Sequence, residues 1–337
     1  MNTISPQIKL IILLVLLIGT IFVSFLLGRY PLSSADVISA LTGWLGLSSE
    51  PQNAVRVVME LRFPRIIGAV LIGASLAVSG AAYQVMFRNP MVSPAILGVS
   101  AGAAFGAAIA ILWSVPAFWI HVLTFLGGLT AVAITYTIGV KLCRGGNTTL
   151  AIILSGIIVS TLFTSLLSMS KYAADPYDKL TVIVYWLMGS LAAITLDSLF
   201  FPALFMLLAF IPLMLLRWRI NLLSFGDEEA QTLGIPVERL RLIVILCATL
   251  LTAAAVSLSG IIGLVGLIIP HLVRFLVGPD FRFLLPGSAL LGGLFLLVAD
   301  NMARTFWTME IPHGILTSLF GVPFFLYLLI KYHHGWE

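Results

Sequence analysis

LIILLVLLIGTIFVSFLLG, residues 10–28, is an apolar run of nineteen residues near the start of the chain. A helix needs about 20 mostly apolar residues to cross the hydrocarbon core of a bilayer. A cleavable signal peptide has an apolar core of about 7–15 residues and a small-residue cleavage site. The run is longer than such a core and is followed by Arg29 and Tyr30. It therefore predicts a retained transmembrane helix.

The composition of the whole chain points to the same environment. Of 337 residues, 60% are hydrophobic and 9% are charged, whereas soluble domains have about 45–50% apolar and about 25% charged residues. A soluble fold would have too little polar surface. We expect residues 1–337 to form a single transmembrane domain in contact with membrane lipid.

Further apolar runs follow along the chain, and helices are the default because lipid offers no partners to backbone polar groups. We predict an all-α polytopic protein with about ten transmembrane helices in one bundle. The runs at 64–83 and 93–113 are rich in Gly, Ala and Ser, which allow close helix packing. The ten predicted helices are 9–28, 64–83, 93–113, 118–141, 148–170, 194–216, 241–259, 262–277, 286–305 and 313–331.

Two stretches of the chain share a spacing. The Ser-Gly pair at 79–80 precedes Pro90 by the same interval as the Ser-Gly pair at 259–260 precedes Pro270. The helices that hold the two pairs would cross the membrane in opposite directions. This pattern is typical of an inverted repeat in a transporter, although chance matches in a Gly-rich chain give an alternative explanation.

The basic residues are scattered between apolar runs, so the pI near 9.2 reflects topology signals and predicts no nucleic-acid partner. With both termini in the cytoplasm, eleven Lys and Arg residues lie inside and seven outside. The inside set is Lys9, Arg88, Lys141, Arg144, Arg217, Arg219, Arg239, Arg241, Arg274, Arg282 and Lys331, and the outside set is Arg29, Arg56, Arg62, Arg65, Lys171, Lys179 and Arg304. This orientation predicts a cytoplasmic loop at 217–240.

Several signatures of enzymes and ion-driven carriers are missing from the sequence. No glycine-rich phosphate loop of the Gly-x-x-x-x-Gly-Lys-Ser/Thr type occurs, and the first six apolar segments have no acidic residue at their cores. Cys143 and Cys247 have no partner motif, which argues against a disulfide or a metal site. We expect no enzyme activity and no bound cofactor, and we expect energy to come from a partner protein.

The stretch GDEEAQTLGIPVERLR, residues 226–241, concentrates charge, with six charged residues out of sixteen. Its acidic triplet favours the start of a short helix, Gly234 favours its end, and Pro236 favours the start of a second short helix that leads into the next span. Such a loop suits a contact with another protein; the alternative is an ordinary solvated loop. The contact residues that we predict are Gly226, Asp227, Glu228, Glu229, Leu233, Gly234, Pro236, Glu238 and Arg239.

Several short motifs are distributed in order over nearly the whole chain. They are Leu61-Arg62-Phe63-Pro64-Arg65, Arg88-Asn89-Pro90, Leu97-Gly98-Val99-Ser100-Ala101-Gly102-Ala103, Gly263-Leu264-Val265-Gly266, Pro270-His271-Leu272-Val273-Arg274, Ala299-Asp300 and Ile311-Pro312. Together they resemble the motifs of the FecCD-type permeases, the membrane subunits of type II ABC importers. Importers of this family carry cobalamin, haem and ferric siderophores, with a branch for molybdate and tungstate.

The resemblance implies a set of partners and a location. It implies a homodimer with the pathway between its subunits, two cytoplasmic subunits that bind and hydrolyse ATP, an external substrate-binding protein, and the bacterial inner membrane. It places the ATPase-coupling helices in the loop at 225–239. It also implies that Arg62, Arg65 and Arg304 meet acidic residues of the binding protein. The alternatives are anchoring of a helix end for the first two and pairing with Asp300 for the third.

The same resemblance implies that the fifth and tenth predicted helices, at 148–170 and 313–331, line the pathway. In the fifth, Thr161, Ser165, Ser168 and Tyr172 share one helical face. The alternative is that the hydroxyls satisfy themselves on carbonyls one turn back or serve packing. In the tenth, Pro323 permits a kink.

A hydroxyl-lined route without carboxylates suits an anion or a metal chelate better than a bare divalent cation. The overall likeness to the molybdate and tungstate branch of the family implies import of one of these oxyanions, with ferric siderophore, haem or cobalamin as the alternative cargo. An ion-driven secondary transporter is the alternative of another class.

Overall fold

The computed structural model describes residues 5–28, 30–44, 55–142, 148–306 and 309–332. All regular structure within these ranges is helical. Arg29, Cys143 and Arg144, which entered the predictions of orientation and of an absent disulfide, lie outside the described residues.

Each predicted transmembrane run contains a helix. In chain order, the helices are α1 Pro6–Leu26, α2 Ser34–Trp44, α3 Val57–Met86, α4 Val99–Leu112, α5 Ala117–Thr137, α6 Thr148–Ala173, α7 Lys179–Leu187, α8 Leu196–Leu215, α9 Arg217–Leu222, α10 Asp227–Thr232, α11 Val237–Ser259, α12 Val265–Val277, α13 Phe281–Thr305 and α14 His313–Tyr332. The first turns of α3, Val57–Arg62, are wound as π-helix, and a π-helical segment, Ile138–Leu142, follows α5.

Among the described residues, seven helices are long and apolar enough to span a membrane. Three further apolar helices are shorter: α4, α12 and the first part of α14. Together they account for the ten predicted helices. The predictions did not include α2, α7 or α9, which have 11, 9 and 6 residues and are too short to cross a bilayer.

The short helices α4 and α12 begin later than predicted because the backbone turns immediately before each of them. Gly98 has a φ of +86° and ends a 3₁₀ turn, Pro94–Leu97. Leu264 has a φ of +66° and precedes α12 directly. A positive φ cannot continue a right-handed helix, so both helices start after an irregular segment.

Small residues bring the central helices into close contact. A Cβ placed on Gly80 of α3 would lie 1.8 Å from the carbonyl oxygen of Gly266 in α12. A Cβ on Gly73 would lie 2.2 Å from the carbonyl oxygen of Gly292 in α13. The prediction of close packing from the Gly-rich composition of α3 is confirmed.

Helices α3 and α11 form the centre of the bundle, whereas α1, α5, α6 and α8 present apolar side chains on its outside. The Phe281 N–H at the start of α13 donates to Asn221 Oδ1 in α9. The other end of α13 holds Asp300, which bonds to Arg65 near the start of α3. We call the end of the bundle that carries residues 217–241 the loop end, and the end that carries Arg65 and Asp300 the ion-pair end.

The inverted repeat is only partly supported. As predicted, the Ser-Gly pairs lie on helices of opposite direction, because α3 runs toward the loop end and α11 starts from it. The paired positions nevertheless differ in local structure. Pro90 lies in a turn, whereas Pro270 lies inside α12.

Candidate functional site

The polar loop between α8 and α11 contains a short helix where the sequence predicts one. Helix α10 has three acidic residues in its first turn, where they face the positive end of the helix dipole. Gly234, with a φ of +78°, follows the end of this helix. Pro236 precedes α11, which continues without a break to Ser259. The prediction of a separate second short helix is therefore wrong, because the turns that follow Pro236 belong to the long helix.

Two contacts hold the base of this loop on the bundle. Arg241 Nη2 donates to Asp227 Oδ2 at 2.6 Å, and the Arg241 side chain is buried. Asn221 Oδ1 accepts a hydrogen bond of 2.8 Å from the Phe281 N–H. Asp227 therefore ties α10 to α11, and Asn221 ties α9 to α13.

The remaining side chains of the loop form an outward surface. Gly226 is buried, whereas Glu228, Glu229, Leu233, Gly234, Pro236, Glu238 and Arg239 are exposed. Leu233, an apolar side chain, is 60% exposed and is therefore surrounded in this surface by charged side chains. This combination suits a contact with a soluble protein.

A groove of about 540 Å³ runs along α6. Its lining is hydroxylic and apolar, with no charged side chain: Ile96, Ile157, Ser160, Thr161, Thr164, Ser165 and Ser168. Within α6, Thr161, Ser165 and Ser168 also donate to carbonyl oxygens one turn back at 2.9, 3.0 and 3.0 Å. Tyr172 is 92% exposed and is not part of the groove lining. The alternative of internally satisfied hydroxyls is therefore observed for these three residues, which also line the groove. A role for Thr161, Ser165, Ser168 and Tyr172 in the substrate pathway stays a prediction.

A buried ionic cluster joins three helices at the ion-pair end. Asp300 of α13, which is 0% exposed, accepts from Arg65 Nε at 2.8 Å and lies 3.1 Å from Nε2 of His313. Arg65 also makes a two-bond contact with Glu310 at 2.9 and 3.0 Å. Arg304 Nε lies 3.6 Å from Asp300 Oδ2, one turn away on the same helix. The cluster ties α3, α13 and α14 together.

The three arginines predicted to dock a binding protein are buried. Arg62 donates to the carbonyl oxygens of Phe25 and Tyr30, the latter at 2.5 Å, and Arg304 donates to that of Ser24 at 2.8 Å. They do not present free guanidinium groups, which corrects the expectation of an outward-pointing set. A docking role for Arg62, Arg65 and Arg304 stays a prediction, and it requires partner carboxylates to replace internal bonds. The pairing of Arg304 with Asp300, the alternative from the sequence, is observed.

Glu310 and His313 belong to this cluster but were not among the predicted site residues. Both flank the Ile311-Pro312 motif, which was a usable signal. The sequence could not show which residues they contact, because Arg65 and Glu310 are 245 positions apart. A cavity of about 550 Å³ lies over the cluster and is lined in part by Arg62, Arg65, Arg304 and Glu310.

Sequence comparison places this architecture in a family. The model of the FecCD transport family matches residues 14–331. The chain belongs to the FecCD transport family. The molybdate import system permease protein MolB of Haemophilus influenzae is 40% identical over 325 residues, covering 96% of this chain and 95% of MolB. The cobalamin import system permease protein BtuC of Halobacterium salinarum is 43% identical over 280 residues, covering 83% and 74%.

A solved metal-chelate type ABC transporter in an inward-facing conformation has the same fold, with a TM-score of 0.87 and 39% sequence identity. The match covers 97% of this chain and 100% of that one. The FecCD chain described here is thus a permease subunit of an ABC importer, and the identification from sequence motifs is confirmed.

Proposed function

We propose that this FecCD permease imports a metal oxyanion of the molybdate and tungstate class. The observation that carries the proposal is the 40% identity to a molybdate permease over nearly the full length of both chains. The groove along α6 supports it, because its hydroxyl groups offer hydrogen bonds to oxyanion oxygens and its lining contains no carboxylate that would repel an anion. Metal chelates are the second candidate, supported by the cobalamin relative and the metal-chelate transporter.

The pathway of the proposed importer lies between two copies of the chain. In a single chain, the α6 groove is open along one side, and α6 carries many exposed apolar residues. A second copy would close the groove and would cover part of this apolar surface. The homodimer therefore supplies the missing wall of the conduit.

Two cytoplasmic ATP-binding subunits drive the transport through the loop end. The exposed side chains of α10 and Leu233 form the contact, and the Asp227–Arg241 pair transmits the movement to α11. This arrangement puts the loop end and both termini on the cytoplasmic side of the bacterial inner membrane, in agreement with the excess of basic residues expected there.

An external binding protein delivers the substrate at the ion-pair end. The cavity over the ionic cluster is the contact site, and Glu310, whose side chain is 29% exposed, is the group that an incoming carboxylate would displace from Arg65. Selection of the substrate takes place on that protein, since the α6 groove holds no charged side chain to discriminate among anions.

Two measurements test the proposed function. Calorimetry of the cognate binding protein against molybdate, tungstate, haem and ferric siderophores should show tight binding of the two oxyanions only. Tight binding of a chelate instead would replace the proposed substrate. In proteoliposomes with the cognate ATP-binding subunits, uptake should require ATP. Uptake that proceeds with an ion gradient and without ATP would support the secondary-transporter alternative.

A further inference from the structure

Helices α1, α8 and α13 leave an apolar groove of about 280 Å³ on the outside of the bundle, away from the α6 groove. No polar atom of the residues that the structure describes contributes to its surface. It is lined by Leu10, Ile11, Leu14, Phe210, Pro286, Ala289 and Leu290. An open apolar groove of this kind between membrane helices suits a hydrocarbon chain.

Basic residues stand at the loop end of the same groove. Lys9 directly precedes Leu10, Arg282 precedes Pro286 by one helical turn, and Arg217 follows α8. These elements are joined, because Arg217 Nη1 donates to the carbonyl oxygen of Arg282 at 3.3 Å. Lys9 Nζ donates to a carbonyl oxygen at the end of α12 at 2.5 Å.

The segment Arg217-Trp218-Arg219 has a composition typical of the level of lipid headgroups. Trp218 is 54% exposed, and the Arg282 guanidinium lies 4.8 Å from its ring centroid. Tryptophan is enriched where the hydrocarbon core meets water. The exposed Arg219 adds a further cation on the same short helix.

One acidic residue, Asp280, lies among these cations. The Arg282 side chain donates hydrogen bonds to the Asp280 carboxylate and holds the pKa of Asp280 below its usual range. Asp280 is therefore charged at neutral pH. The basic rim of the groove contains four positively charged side chains and this one negative side chain, so it keeps an excess of positive charge. The four are Lys9, Arg217, Arg219 and Arg282. A negatively charged ligand is therefore favoured over a zwitterionic one.

We propose that this groove and its basic rim bind one anionic phospholipid. Its acyl chain lies along Leu14, Phe210 and Leu290, and its phosphate contacts Arg217, while Arg219 adds positive charge on the same short helix. A second copy of the chain is a poorer occupant, because a two-fold symmetric contact would bring two like-charged rims together. Basic pockets between transmembrane helices on the cytoplasmic side bind anionic headgroups in this manner.

The position of the site gives it a role at the base of the coupling loop. Helix α9, which carries Arg217 and Arg219, is bonded to the start of α13 through Asn221 and Phe281. A bound phosphate would hold α9 against α13. The lipid would thus brace the element from which the polar loop projects.

The test is lipid retention by the purified full-length protein, measured by native mass spectrometry with phosphatidylglycerol and phosphatidylcholine. The wild type should retain one phosphatidylglycerol in preference to phosphatidylcholine. The double variant Arg217→Gln/Arg219→Gln should bind it about 25-fold more weakly, at about fivefold for each basic residue removed. Ala289→Trp, which fills the groove, should abolish retention. The matched control Arg56→Gln removes an exposed cation at the ion-pair end and should change nothing.

A second measurement on the unaltered protein guards against misfolded variants. Phosphatidylglycerol with a photoreactive acyl chain should label peptides that contain Leu14, Phe210 or Leu290. Equal retention of the two lipids, or labelling spread evenly over the bundle, would show ordinary surrounding lipid and overturn the proposal. Loss of binding in the arginine variant alone, with Ala289→Trp unchanged, would also overturn it, because the groove would then have no part in binding.

Discussion

Replacing Asp300 with asparagine should strongly destabilise the protein. Asp300 is fully buried and is the carboxylate shared by Arg65, Arg304 and His313. The variant keeps the size of the side chain and removes its charge. It therefore tests whether this ionic cluster, and not its packing, joins α3, α13 and α14.

The magnitude follows from what remains after the change. Removing one partner of a buried ion pair costs about 3–5 kcal/mol, because a buried charge is left without compensation. In Asp300→Asn, Arg65 keeps Glu310, whereas Arg304 loses its carboxylate. We expect a loss of about 3–5 kcal/mol in the free energy of unfolding. Glu310→Gln leaves Arg65 bonded to Asp300 and should cost about 1–3 kcal/mol.

The assay is thermal melting of the purified variants in one lipid nanodisc composition, followed by a tryptophan or thiol-reactive probe. Glu60→Gln is the control, since it removes a surface pair with Arg56 that should contribute at most about 1 kcal/mol. The melting temperature should fall in the order Glu60→Gln, Glu310→Gln, Asp300→Asn. If Asp300→Asn and Glu60→Gln had the same melting temperature, the ionic cluster would not hold these helices together.

Two other changes test the pathway and the packing. Ser165→Phe should narrow the α6 groove and lower substrate uptake at least about tenfold, with an unchanged melting temperature. Ser165→Ala removes only a hydroxyl that bonds to a carbonyl one turn back, so uptake should stay near that of the wild type. Equal uptake by both variants would exclude this groove from the pathway. Gly80→Ala should prevent accumulation of folded protein, because its Cβ would lie 1.8 Å from the Gly266 backbone. Gly19→Ala has open space around it and should be neutral or stabilising by about 0.5–1 kcal/mol. Similar melting temperatures of the two variants would contradict the close packing of α3 and α12.

Much of the fold was readable from the sequence because the bilayer imposes a length on apolar runs. That constraint located the apolar helices and the polar loop, including the short helix that starts at Asp227. It could not show that α4 and α12 begin inside the bundle. Their starts depend on the positive φ values at Gly98 and Leu264, and Leu264 is a residue type that gives no local signal for such a turn.

The ion-pair end shows a different limit. The sequence singled out Arg62, Arg65 and Arg304 as unusual, but it suggested that their side chains face a partner protein. Arg62 and Arg65 are bonded to groups far away along the chain, whereas Arg304 pairs with Asp300 one turn back, as the alternative from the sequence predicted. A run of sequence does not reveal which distant carboxylate lies beside Arg65. Glu310 therefore became visible only once α3 and α14 were placed together.

The most direct test of the account is the double charge reversal Glu228→Lys/Glu229→Lys, compared with Asp178→Lys, an exposed acidic residue outside the loop. Each variant is reconstituted with its binding protein and ATP-binding subunits, and ATP-driven uptake is measured beside melting temperature. The loop variant should lose most of its uptake while it melts like the wild type, and the control variant should transport normally. Full ATP-driven uptake by a correctly folded loop variant would contradict the claim that force enters this permease through α10.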